Sequence, residues 1–369
     1  MVLYVWQKPG WPRFTWNSDL LLEPLGRVRQ SQGKLLGQAL YIGLKSQAEV
    51  LTEEAFTTAA IEGEKLDRDS IRSSVARRLG LPTAGLPRTD RNVDGLVEML
   101  VDATSQRDRP LSAKRLKGWH AALFPTGYSG MHKIAVGRWR KEPGPMRVVS
   151  GPIGKERIHY EAPPAHRVEM EMARFLQWWQ SSSPDTMDGL VRAGLAHFWF
   201  VSIHPFEDGN GRIARAITDM ALAQDERADR RLYSMSANIV KERDNYYKIL
   251  ERSQKGNGDI TDWLVWFLGC LERSIQRSED EVQVALEKAR FWQNHAETVL
   301  NERQRKVANR LLDAGPGNFQ GGLTNRKYVA MTKVSRETAK RDIADLLDKG
   351  ILKKNPGSGR SVNYDLAWP

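Results

Sequence analysis

The decapeptide IHPFEDGNGR, residues 203–212, stands between two apolar stretches with helical spacing. Glycine and asparagine accept tight and left-handed backbone that other residues resist, so the segment reads as a turn. Every other side chain in it is capable of chemistry. Gly209, Asn210 and Gly211 fall where the next helix begins, which leaves several backbone N–H groups unpaired and pointing outward. Such a terminus attracts anions, and glycine lets a phosphate approach closely. Arg212 and Arg215 lie three apart on the first turns of that helix and share a face, with guanidinium forks that match phosphate oxygens. Asp208 is a hard oxygen ligand suited to Mg²⁺ bridging phosphates. His204 can accept a proton near neutral pH. Phe206, apolar among polar neighbours, is expected to anchor the loop to the core. Together these residues read as a general base beside a Mg²⁺-nucleotide cradle. Neither a Walker sequence nor a kinase motif set is present, so the phosphate site is of another kind.

Outward from this loop, helical patterns cover "SAKRLKGWHAALF", "HRVEMEMARFLQWWQ", "MDGLVRAGLAHFWFVSI" and "GRIARAITDMALAQD". Between the first two, short β-type runs at Arg147–Ser150 and Arg157–Tyr160 flank a Gly/Pro turn and predict a hairpin. Toward the N-terminus, a helix is expected from about Asp19 to Leu44 and a second one ending near Gly63. The loop "GLPTAGLPRTDRNVDG" follows, then a helix around Leu96–Thr104. Toward the C-terminus, the charged stretch Arg277–Arg290 reads as a link between domains. Residues 301–369 then change style. Three helices, "NERQRKVANRLLDAG", "TNRKYVAMT" and "SRETAKRDIADLLDKGILKK", precede "NPGSGRSVNYDLA", read as a short hairpin. That order resembles a winged helix-turn-helix with its recognition helix at about Arg336–Lys349.

The chain has 369 residues, 40% of them hydrophobic, a net charge of +11 and one cysteine, Cys270. This length suggests two or three domains, and a lone cysteine fits a reducing, cytoplasmic setting. The start "MVLYVWQKPGW" lacks a signal-peptide pattern, and the apolar runs are too short to span a bilayer. Residues 301–369 hold 14 Lys or Arg against 7 Asp or Glu. That basic excess makes DNA a candidate partner, with protein contact the alternative.

The loop also resembles the Fic family signature H-x-F-x-[DE]-G-N-G-R-x-x-R, at His204, Phe206, Asp208, Gly209, Asn210, Gly211, Arg212 and Arg215. The resemblance implies a mainly α fold: a Fic helical core at 106–275 with a small β-hairpin flap, after an N-terminal helical region at 1–105. A linker helix at 276–300 and the winged-helix domain at 301–369 complete the expected order. It further implies AMP transfer from ATP to a target-protein hydroxyl. His204 would be the base, Asp208 the Mg²⁺ ligand, Gly209–Gly211 the phosphate turn, and Arg212 and Arg215 the clamps. The flap residues Val148, Val149, Ser150 and Gly151, within Arg147–Gly151, would cover the nucleotide and register the target as an added strand. In "RDNYYKILERSQ", Tyr246, Tyr247 and Gln254 are nominated for the adenine pocket, with plain helix packing as the alternative. Relatives in the family move UMP, phosphocholine or a phosphate, and a DNA-binding regulator with a dead site is a further alternative. The intact turn favours AMP. Family members also regulate themselves through dimers, so a homodimer is a candidate state.

Upstream, "TAAIEG" fits the family's inhibitory pattern [ST]-x-x-x-E-[GN] at Thr58, Glu62 and Gly63. By that resemblance Glu62 would pair with Arg215 and block the productive pose of the γ-phosphate.

Overall fold

The computed structural model describes residues 3–38, 43–83, 85–150, 155, 157–228, 231–315, 317–356 and 362–368. It is mainly α, as the patterning predicts, with short antiparallel strand pairs. The chain divides into two compact units, Met1–Ser278 and Glu279–Pro369.

In the first unit, a short 3-10 turn precedes α1 (Ser18–Gln38), α2 (Leu44–Ile61), α3 (Arg68–Arg78), α4 (Arg91–Ser105) and α5 (Ala113–Leu123). Two strand pairs follow, β1 (Tyr128–Ser129) with β2 (His132–Lys133), and β3 (Arg147–Ser150) with β4 (Arg157–Glu161). Then come α6 (Ala165–Ser181), α7 (Gly189–Ile203), α8 (Asn210–Glu226), α9 (Ser236–Ile239) and α10 (Arg243–Gln254). The last helix, α11 (Thr261–Asn294), carries the chain into the second unit. The segment read as a charged link is therefore the second half of one continuous helix.

α7 explains the layout. It is apolar on all sides, so it takes the centre, and every one of its residues is buried. Asp188 caps its start, its Oδ1 accepting from the N–H groups of Leu190 and Val191 at 2.9 and 3.2 Å. Phe175 of α6, Phe198 and Phe200 of α7, and Trp263 and Phe267 of α11 are all fully buried in the resulting core. Since α7 and α8 are joined only by residues 204–209, the signature loop is the corner of the most buried helix pair.

Two local readings are corrected. α3 was not anticipated after Gly63; Asp67 starts it by accepting the Ser70 N–H at 2.7 Å. The loop read as running to Gly95 ends sooner, because Asp90 caps α4 through the Asn92 N–H at 3.1 Å.

The second unit has α12 (Glu302–Ala314), α13 (Asn325–Thr332) and α14 (Arg336–Asp348), then β5 (Leu352–Lys354) paired with β6 (Tyr364–Leu366). Its core gathers Phe291, Val307, Leu311, Tyr328, Ile343 and Leu346. Here too one boundary differs. "ILKK", read as the tail of a helix, supplies β5, because Gly350 at φ 68° ends the helix and turns the chain.

Candidate active site

His204 ends α7 in left-handed backbone, φ 51° and ψ 60°, a costly conformation for a residue with a Cβ. Arg140 holds that corner. Its backbone N–H donates to Pro205 O at 2.9 Å and its Nε to His204 O at 2.7 Å. Its Nη2 also reaches the carbonyls of Pro163 and Ile203. The imidazole is half-buried, with Nδ1 3.3 Å from Val201 O. Burial and the nearby Arg140 charge push its pKa down to about 4, so it is neutral at pH 7. With Nδ1 engaged on a carbonyl, Nε2 is the nitrogen left to accept a proton.

Phe206 is fully buried, stacked on His120 with ring centres 4.2 Å apart and tilted against Trp139. Asn210 closes the loop: its Oδ1 accepts the Phe206 N–H and its Nδ2 donates to Phe206 O, each at 2.9 Å. Asp208 turns outward, one oxygen taking the Ser129 hydroxyl and the other the Gly209 N–H. Gly209, at φ 79°, precedes α8 with no side-chain cap, so the first N–H groups of that helix stay open. At Gly211 a Cβ would lie 2.1 Å from Glu62 Oε1, so a carboxylate already rests against this backbone where only glycine leaves room.

That carboxylate arrives on the end of α2. Gly63 at φ 83° lets the chain reverse, with Gly63 N–H donating to Ala60 O and Glu64 N–H to Ala59 O, both at 3.0 Å. These two bonds are the Schellman helix end. They set Glu62 and Glu64 on either side of the glycine. Arg243 Nε, at 2.7 Å from Ile61 O, ties down the same end. Glu62 Oε1 accepts from Arg215 Nη2 at 2.8 Å. Thr58 takes Arg215 Nε on its hydroxyl at 2.6 Å and Nη2 on its carbonyl at 2.9 Å. Burial is the largest influence and opposes the charge on Arg215, but Glu62, with smaller help from Tyr246 and Tyr247, more than offsets it and the guanidinium pKa rises. Glu64 meets the other arginine, accepting from Arg212 Nη1 at 2.7 Å. Arg212 also lies over the Phe124 ring at 4.9 Å, and its second carboxylate neighbour, Asp208, is at 3.8 Å. Burial raises the pKa of Glu64, Arg212 opposes the rise, and the adjacent Asp208 and Glu62 charges add to it.

The structure thus gathers His204, Asp208, Gly209, Asn210, Gly211, Arg212, Arg215, Thr58, Glu62 and Gly63 around one corner. The hairpin approaches it from another side. β3 and β4 pair in antiparallel register, Arg147 with Glu161 and Ser150 with Arg157, with an irregularity between Val148 and Val149. Tyr160 roots the hairpin by donating to Ser202 O at 2.6 Å, two residues before His204. His159 Nδ1, 2.6 Å from Glu251, fixes β4 to α10. Val148 is half-buried while Val149 and Ser150 are exposed; Gly151 lies outside the described residues.

Of the three residues nominated on α10, Tyr246 belongs to the core. It is 2% exposed, and its hydroxyl is 2.9 Å from His197 Nε2. Gln254 is also buried and donates to Ser202 Oγ at 3.2 Å. Tyr247 alone stays half-buried, beside Ile61 O and beneath Arg243. Helix packing, the alternative reading, describes the first two.

Three residues escaped the sequence reading: Arg140, Ser129 and Glu64. Arg140 and Ser129 lie 64 and 79 positions from their partners, with no motif to mark them. Glu64 carried a signal, an acid one residue beyond the inhibitory pattern.

A neutral histidine thus stands beside an uncapped, glycine-lined helix start held by two arginines, the arrangement expected from the signature. Comparison with known proteins agrees. Residues 110–222 match the Fic/DOC family profile, and residues 4–81 match a domain of unknown function, DUF4172. The chain is a Fic-domain protein. A curated relative, "Protein adenylyltransferase Fic" of Nematostella vectensis, is 26% identical over 231 residues, covering 62% of this chain and 48% of the relative. "Protein adenylyltransferase fic-1" of Caenorhabditis briggsae is 26% identical over 223 residues, covering 60% and 40%. The chain spans about half or less of the length of these two relatives. Among solved structures, a Fic family protein from Desulfovibrio desulfuricans aligns over 96% of this chain and 98% of its own, with TM-score 0.53 and 18% identity. Fic-1 from C. elegans aligns over 73% and 74%, with TM-score 0.52 and 19% identity. These two establish the likeness of fold. No helix among the described residues is long and apolar enough to cross a membrane.

Proposed function

We propose that this chain transfers AMP from ATP to a hydroxyl side chain of target proteins and of itself, and that it is held back by its own α2. The observation that carries the reading is a carboxylate of the chain, Glu62, resting on the bare start of α8 where a phosphate would rest, 2.8 Å from Arg215.

His204 Nε2 accepts the proton of the target hydroxyl as its oxygen bonds to the α-phosphorus, and pyrophosphate departs with the bonding pair. A base worth using must be unprotonated at working pH, and the lowered pKa of His204 provides that. The open N–H groups of α8 stabilise charge on the phosphate oxygens. Arg212 and Arg215 grip the outer phosphates and orient the α-phosphorus for in-line attack. Asp208 fits a Mg²⁺ ligand: its carboxylate is 42% exposed on the rim of the cradle. No cluster of three metal-binding side chains exists among the described residues, so the ion would be shared with substrate phosphates and water, a habit of Mg²⁺. Bound there, Mg²⁺ would neutralise phosphate charge. Val148, Val149 and Ser150 would receive the target as an added strand on β3.

The restraint is double. Glu62 occupies Arg215 and Glu64 occupies Arg212, so neither clamp is available to a γ-phosphate while the end of α2 stays folded. For residues 301–369, the order of three helices and a strand pair supports the winged-helix reading. Arg336, Lys340 and Arg341 are exposed on α14, which supports DNA as its partner.

The reading is tested by incubating the chain, with Glu62→Gly, with labelled ATP, UTP and CDP-choline in separate reactions, then locating modified residues by mass spectrometry. AMP on a Ser, Thr or Tyr hydroxyl is expected. UMP or phosphocholine incorporation without AMP would replace the donor, and no incorporation from any of the three would remove the transferase reading.

A further inference from the structure

A cavity of about 650 Å³ opens at the opposite ends of α7 and α8 from the signature loop, lined by Arg107, Arg109, Trp179, Arg192, Gln224 and Arg227 among others. Arg192 and His204 sit on the same helix, about 18 Å apart at 1.5 Å of rise per residue, so this is a separate place.

Arg192 is 2% exposed. Its Nε donates to Ser182 Oγ at 3.1 Å, its Nη1 to Gln224 Oε1 at 2.8 Å and its Nη2 to Trp179 O at 3.2 Å. All three acceptors are neutral, and no carboxylate among the described residues lies within ion-pairing distance of this guanidinium. A guanidinium has five N–H donors, so one on each terminal nitrogen is left without a protein acceptor. Burying a cation without a counter-charge is costly, and burial alone pulls the pKa of Arg192 down to about 10. It remains charged at neutral pH. The Trp179 ring, 3.9 Å from the guanidinium carbon, offsets part of that cost but supplies no negative charge.

The rim adds to the imbalance. Among the described residues, the ion pairs of Arg107 and Arg227 are with Asp108 at 3.8 Å and Asp185 at 3.4 Å, both largely exposed, and Arg107 also donates to Arg227 O at 3.4 Å. Four arginines therefore face the cavity against two aspartates. Its volume falls within the range of small-molecule sites.

We propose that this cavity binds a small phosphorylated anion, with the buried guanidinium of Arg192 taking phosphate oxygens and Arg107 and Arg227 closing over them. Arginine is the side chain best shaped for two-pronged phosphate contact, and three of them converge on one concave space. The ligand supplies the counter-charge that the protein withholds from Arg192.

The test uses the full chain and inorganic pyrophosphate, measured by isothermal titration calorimetry. Arg215→Ala first weakens the signature cleft, and the cavity variants below assign what remains. Saturable binding is expected in that background. Adding Arg107→Ala with Arg227→Asn should weaken it at least tenfold; asparagine suits the left-handed backbone at residue 227, φ 51°. Arg192→Gln should remove it. Should that buried substitution unfold the chain, the rim pair still decides. Absence of binding in the Arg215→Ala chain, or binding unchanged by the rim pair, overturns the proposal. No turnover is involved, so this result stands apart from the AMP-transfer reading.

Discussion

Two helices of this protein carry arginines where a polyanion could be met, and they treat them in opposite ways. On α8, Arg212 and Arg215 are 4% and 3% exposed, and each is paired with a carboxylate some 150 residues earlier in the chain. On α14, Arg336, Lys340 and Arg341 face solvent and have no ion pair among the described residues. Sequence spacing makes the two sets look alike. Burial separates them, because a guanidinium removed from water is held in one geometry and can be matched, blocked or released. An exposed cation acts through its field and is weakened by salt. The first arrangement suits a regulated catalytic cradle and the second a solvated contact face.

The largest expected effect breaks the α8 side of this contrast at its chemistry. His204→Ala removes the proton acceptor and leaves both arginines in place. AMP incorporation should fall about 10²- to 10⁴-fold, with ATP affinity, read by calorimetry, nearly unchanged. Equal loss of both would make His204 a structural residue.

Next in size is Glu62→Gly, which frees Arg215. Misplacement of about 1 Å can cost roughly a hundredfold in rate, so incorporation should rise by about that factor. Glu62→Asp should give part of the gain, since the shorter side chain reaches less far. Combined with His204→Ala, the gain should vanish. A parent chain as fast as Glu62→Gly would reduce the α2 end to ordinary helix capping.

A smaller effect belongs to Glu64. Its raised pKa means that, as pH falls, it becomes neutral earlier than an exposed carboxyl and lets go of Arg212. Incorporation, corrected for His204 titrating near pH 4, should climb modestly as pH drops from 8 toward 5. Glu64→Gln should be several-fold faster at pH 8 and lose that climb. An identical pH profile in parent and variant would show that Arg212 is not limiting.

The smallest effect lies on α14. If these cations meet DNA, full-chain affinity for duplex should fall steeply with salt, and replacing Arg336, Lys340 and Arg341 by alanine should lower the slope of log affinity against log salt by about 3. Gel shifts or anisotropy at several salt concentrations would measure it. A slope that does not change turns residues 301–369 toward protein contact.

Much of the centre was legible because its chemistry is contiguous. From His204 to Arg215 the loop, the helix start and the arginine face follow from glycine conformations and three-residue spacing. The hairpin was legible from its period and turn. What stayed hidden was long-range or compensatory. Arg140 holds the backbone of His204 from another element, and its own neighbours in sequence give no sign of it. Tyr246 is ambiguous in the sequence because an aromatic on an amphipathic helix serves equally for pocket and packing; the fold buries it against His197 of α7 and beside Arg215. The start of α3 was missed because Asp67, its cap, sits in a run of charges that resembles a loop.

The Schellman end of α2 also bears on how ATP would compete with the proposed brake. If Glu62 is the brake proposed above, it is a tethered inhibitor and not a free one. It is tethered three peptide bonds beyond Ala59, the carbonyl that secures the turn, and so confronts Arg215 at an effective concentration set by the fold. On the proposed reading, relief comes from whatever unwinds or shifts the last turn of α2, and its sign would be faster hydrogen exchange at the amides of Gly63 and Glu64.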